Sequence, residues 1–184
     1  MGRELNPHMP SRETDLYFLI DTNRINARRA LPYMNQLDQW RKDGVIGLLM
    51  PDVAHGEAKE GHNAERSRKA SSTVFTISYT HNHVAREMRP RISEILFPDG
   101  CHSQNEGNDV EIVLAAWQHR PYPLITADRG ILRKSEELAQ LEISVMTDAE
   151  AVALVRECIR ERDDEARDFA ANSEEPLPCW VGKD

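Results

Sequence analysis

The chain has 184 residues, 40% hydrophobic and 29% charged, which is enough for one domain with a sizeable core. No apolar run approaches the length needed to span a bilayer, and no basic-then-apolar leader opens the sequence. The net charge of −8 argues against coating nucleic acid by bulk charge, yet it suits carboxylates gathered to hold cations. Cys101, Cys158 and Cys179 have no metal-ligand spacing, so a reducing cytoplasm is the expected setting.

Residues 1–12 contain two prolines and read as a flexible arm. Residues 16–20 form an apolar run broken only by Tyr17, the pattern of a parallel strand covered on both faces. The run stops at Asp21. Residues 25–42 then read as a helix, with Leu31, Met34, Leu37 and Trp40 near one face, ended by Asp43-Gly44. A second strand spans 45–50, and Pro51 stops it and opens another helix. This β-α-β-α order implies a parallel sheet with crossover helices.

Residues 73–79 are rich in β-branched side chains and suit a short edge strand. A helix is expected over 84–96, bent or interrupted near Pro90, followed by a polar loop over 97–107. Asn108 is expected to cap a helix running to about Gln118. A strand at 124–125 leads to Thr126-Ala127-Asp128. A helix over 131–141, a strand over 143–146 and a final helix from Thr147 or Asp148 to about Ala170 complete the domain, assigned to residues 13–171. Residues 172–184, with Glu-Glu-Pro-Leu-Pro, read as a flexible tail.

Four acids come from four separate elements, all expected at the carboxyl end of the sheet. Asp21 and Asp128 end strands. Glu57 lies in the helix after the second strand, and Asp109 opens the helix that leads to the Asp128 strand. In open α/β sheets this edge is where ligands sit. Four bare negative charges cannot persist together, so a hard cation such as Mg²⁺ or Mn²⁺ is the natural partner. Such an ion can turn a bound water into a nucleophile and stabilise the leaving oxygen of a phosphodiester. Three of the acids also have a simpler reading: Asp21 or Asp109 as a helix cap, Glu57 as a solvated helix residue. Arg24, Arg28 and Arg129 lie just past the first and last acids, and suit either phosphate contact or a solvated face.

Asp21-Thr22-Asn23 after an apolar strand, Gly56-Glu57, Asn108-Asp109 and Thr126-Ala127-Asp128 together resemble the motifs of the PIN-domain ribonucleases, whose members include the VapC toxins of bacterial toxin–antitoxin pairs. The resemblance covers roughly residues 16–146. It implies a three-layer α/β/α domain with a central parallel sheet of four or five strands. It also implies Mg²⁺- or Mn²⁺-dependent hydrolysis of RNA, with Asp21, Glu57, Asp109 and Asp128 as metal-site residues. Asn23 and Thr126 would orient the carboxylates. An antitoxin partner and a homodimer belong to the same implication. The chain departs from the compact toxin pattern over 61–104 and after Asp148.

Other readings stay open. A PIN-like fold without activity would serve as a protein-binding module. A phosphohydrolase of the haloacid-dehalogenase type also begins with strand and Asp, but it needs a second Asp where Asn23 stands. Cys101-His102 with His81 and His83 fits no standard zinc spacing. The run of alternating charge from Arg156 to Arg167 reads as a solvated helix face.

Overall fold

The computed structural model describes residues 9–25, 30–54, 75–77 and 83–184. Five strands form one parallel sheet: β1 (Tyr17–Ile20), β2 (Gly47–Pro51), β3 (Phe75–Ile77), β4 (Leu124–Ile125) and β5 (Val145–Met146). Their order is β3-β2-β1-β4-β5. The continuous apolar run of β1 follows from its place at the centre of this sheet. Phe18, Leu19 and Ile20 are at most 2% exposed, and Leu19 pairs with Leu49 on one side and Leu124 on the other. The expected edge strand is found at the edge, as β3.

The helices are α1 (Pro32–Lys42), α2 (His83–Leu96), α3 (Gln104–Gln118), α4 (Arg129–Arg133), α5 (Ser135–Ala139) and α6 (Asp148–Asn172). The sheet order fixes where they lie. The chain steps from β1 to β2 to β3 in one direction, then returns past β1 to β4 and β5. Because parallel crossovers are right-handed, the connections made before and after that reversal cover opposite faces. The packing agrees: α2 lies against α3 and α5, while α1 lies against α6. Among the described residues, no helix is long and apolar enough to cross a membrane.

Several helices and strand ends differ from the sequence reading. Among the described residues the first long helix starts at Pro32, a proline at its first position, and a 3-10 turn over Thr22–Arg24 precedes it. Helix α2 runs through Pro90, which is exposed on its surface. Helix α3 starts at Gln104 rather than Asn108. Ser103 accepts the Glu106 amide and Glu106 answers at the Ser103 amide, a reciprocal cap that overrides the loop-forming look of Gly107. The helix expected over 131–141 is instead two short helices, α4 and α5.

The charged run on α6 is not uniformly solvated. Arg162 and Asp163 are 6% and 4% exposed. Arg162 donates to Asp163 Oδ1 from Nε (3.0 Å) and Nη2 (2.6 Å), to Asp184 Oδ2 (3.0 Å), and to the carbonyl of Arg12. Arg12 also pairs with Asp184. The Arg162 guanidinium lies 4.4 Å from the ring centroid of Trp180, and the Gly182 amide donates to Asp163 Oδ2 at 2.7 Å. Residues expected in a flexible arm and a flexible tail thus meet on one buried ion pair of α6.

Candidate functional site

The reversal of the chain falls between β1 and β4. This makes the crevice beyond their carboxyl ends the topological switch point, where open α/β sheets bind ligands. Ile20 pairs with Ile125, and the Asp21 amide continues that ladder by donating to the Ile125 carbonyl at 3.0 Å. Asp21 and Thr126 are therefore the first residues past two adjacent strands. Both are buried, at 4% and 0% exposure.

A polar network joins the two strand ends. Thr126 donates its hydroxyl to Asp21 Oδ2 at 2.6 Å, and the Asn23 amide donates to the same oxygen. Asn23 Nδ2 also reaches Thr126 Oγ1 at 3.2 Å, and its Oδ1 accepts the Ala127 amide at 3.0 Å. Thr126 Oγ1 in turn accepts the Asp128 amide at 2.9 Å. One hydroxyl and one carboxamide thus hold Asp21 in place and set the backbone that carries Asp128. A buried carboxylate left without donors would cost far more than these bonds return in water, so the network is a condition for placing Asp21 here.

Asp128 also caps α4: its Oδ1 accepts the Gly130 and Ile131 amides at 2.7 and 3.0 Å. The Thr22 hydroxyl donates to the Ala54 carbonyl at 3.3 Å. This ties the Asp21 turn to the helical residues 52–54 that lead toward position 57. Glu57 itself, and Arg28, lie outside the described residues. Asp109 is half-buried in the second turn of α3. That helix precedes β4 and runs against the strands, so its amino-terminal end lies toward the same sheet edge.

The arginines differ from one another. Arg24 Nη1 pairs with Asp148 Oδ2 at 3.2 Å, and its Nε donates to Asn23 Oδ1 at 3.1 Å. Both members of the pair are largely shielded, with side chains 15% and 13% exposed. Asp148 was not singled out in the sequence, where it looked only like a helix start. Arg129 is exposed at the first position of α4.

Carboxylate oxygens beside a threonine hydroxyl and an asparagine amide are the donor chemistry a hard cation prefers. Among the described residues, however, no group of three or more His, Cys, Asp or Glu side chains could hold a metal ion. Asp21, Asp109 and Asp128 do not make a ready-formed site by themselves.

No protein-family model and no curated protein matches the chain. Solved structures do match it. One is a chain of the crystal structure of VapBC2 from Rickettsia felis bound to a DNA fragment from their promoter. It is 13% identical, with a TM-score of 0.51, over 72% of this chain and 98% of that chain. Identity this low speaks to architecture alone. The chain has a PIN-like α/β fold with a central parallel sheet.

Proposed function

We propose that the protein is a metal-dependent ribonuclease whose site is the crevice beyond β1 and β4. The observation that carries this reading is the network in which Thr126 and Asn23 hold Asp21 and set the backbone of Asp128. It ties the Asp21 carboxylate to the backbone of Asp128, 107 residues away in sequence, and this supports a shared site at the switch point. Asp21, Glu57, Asp109 and Asp128 would hold one or two Mg²⁺ or Mn²⁺ ions. When bound, such an ion supplies an activated water and stabilises charge on the leaving oxygen.

The chain's own residues do the positioning. Thr126 and Asn23 fix the Asp21 carboxylate, so little reorganisation remains when charge develops nearby. Asp128 is anchored by α4 through one oxygen. Exposed Arg129 lies next to it and suits contact with an RNA phosphate, whereas Arg24 is engaged with Asp148 and acts through Asn23.

The direct test is RNA cleavage by the purified protein in Mn²⁺, compared with Asp21→Asn. The variant is expected to lose at least about a hundredfold in rate, the scale of removing one preorganised electrostatic group. Equal cleavage by both proteins would overturn the proposal. A toxin role adds an antitoxin, encoded nearby, that covers the crevice. A homodimer is also part of this reading.

A second reading is a PIN-like binding module without catalysis. It requires wild-type protein to leave RNA intact in both Mg²⁺ and Mn²⁺.

A further inference from the structure

The Asn23 carboxamide could in principle sit in the crevice either way round. As it stands, Nδ2 donates to Asp21 Oδ2 and to Thr126 Oγ1, while Oδ1 accepts the Ala127 amide at 3.0 Å and Arg24 Nε at 3.1 Å. Turned over, it would set its oxygen against the Asp21 carboxylate and its NH₂ against two N–H donors. The donors on Oδ1 therefore decide that the amide meets Asp21 with its hydrogens. One of them is backbone, fixed by the end of β4. The other belongs to a long side chain, which orients nothing unless its own rotamers are restrained.

Asp148 supplies that restraint. It accepts from Arg24 Nη1 at 3.2 Å through Oδ2, while Arg24 Nε is shared between Asn23 Oδ1 and the Asn23 carbonyl. Both side chains are largely shielded from water, unlike the loosely held ion pairs of an open surface. Asp148 reaches this place because it stands two residues past β5, whose Met146 carbonyl accepts the Thr126 amide at 3.0 Å. The carboxyl ends of β1, β4 and β5 thus lie side by side. A simpler role for Asp148 is that of an acid in the first turn of α6, favoured by the helix dipole. That role needs no cation, whereas Arg24 bonds Asp148 and Asn23 at once.

We infer that Asp148 is a positioning residue for the crevice. Through Arg24 it fixes the direction of the Asn23 amide, and through that amide the Asp21 carboxylate. Its effect on RNA cleavage rests on the ribonuclease reading, but the relay itself does not.

The test compares Asp148→Ala with Thr147→Ala, which weakens the same helix start without touching Arg24. The first readout is solvent exchange of the Asn23 side-chain NH₂ in ¹⁵N-labelled, metal-free protein, assigned with Asn23→Ser. Asp148→Ala is expected to speed it about tenfold, the scale of losing one charge-assisted hydrogen bond. Thr147→Ala should leave it as in wild type. The second readout is RNA cleavage in Mn²⁺, where Asp148→Ala should lower kcat about tenfold or more at unchanged KM, as removing an orienting partner does. An unchanged exchange rate in Asp148→Ala, or an equal change in Thr147→Ala, would overturn the inference. So would a change in KM with kcat intact, which would put Arg24 on the RNA instead. If wild-type protein leaves RNA uncut, the ribonuclease reading falls, and the Asn23 exchange rate alone decides the relay.

Discussion

Thr126 is the most consequential single residue described. Its hydroxyl donates to buried Asp21 and accepts from the Asp128 amide, so a β-branched replacement without the hydroxyl removes both bonds at unchanged shape. Thr126→Val is expected to cost about 1–3 kcal/mol, the penalty for a buried polar group losing its partner. Urea denaturation with a constant slope would measure it. Asp128 allows capping to be separated from chemistry. Asparagine caps helices as well as aspartate does, so Asp128→Asn should keep stability within about 0.5 kcal/mol. On the proposed function it should still lose most RNA cleavage. At this scale the sequence was informative about Asp21, Asn23, Thr126 and Asp128, because strand ends and short polar motifs are local patterns. It was silent about the Arg24–Asp148 pair, whose members are 124 residues apart and meet only through the fold.

Among the elements, the parallel strands were legible because runs buried on both faces leave an unbroken apolar signature. The start of α3 was readable too: Ser103 and Glu106 stand at the spacing of a reciprocal cap, but Gly107 and the turn formers before it gave the stronger impression of a loop. Helix α6 carries the same device. Thr147 accepts the Glu150 amide, while Glu150 accepts from the Thr147 amide at 2.7 Å, and that backbone donor holds the Glu150 carboxyl below its usual range. Thr147→Ala should destabilise the protein by about 1 kcal/mol. With the folded pKa below the unfolded one, the Glu150 contribution is complete above the unfolded carboxyl value of about 4.3. It is lost as pH falls through the lower folded value. The Thr147 hydroxyl also donates to Glu150 Oε2 at 2.8 Å, and this second, smaller cause is the one that Thr147→Ala removes, so that part of the difference from wild type should shrink on acidification, which denaturation series at pH 6 and pH 3 would show.

For the molecule as a whole, the buried cluster around Arg162 ties residue 12, helix α6 and residues 180–184 together. Burial works to raise the Asp184 pKa, but hydrogen bonds from Arg12 and Arg162 outweigh it and hold the carboxyl below its ordinary value. Its stabilising effect is present above about pH 4 and is lost below that, as the folded carboxyl takes up its proton. Arg162→Ala would leave Asp163 shielded without its cation and Asp184 with Arg12 alone, and should cost about 3–5 kcal/mol in chemical denaturation. Arg167→Ala, which removes an exposed pair with Asp164, should cost less than about 1 kcal/mol. Alternating charge along α6 concealed this difference, because charge pattern alone does not reveal which turn a distant segment will cover.

The strand order also has a consequence in time. Leu19 is flanked by Leu49 and by Leu124, so the middle of the sheet has only one neighbour until more than a hundred further residues have been made. Pairings of such long sequence separation close slowly, since loop entropy must be overcome before contacts reward it. A growing chain emerging from the ribosome would hold Asp21 in water until Thr126 arrives, making the crevice one of the last parts of the protein to mature.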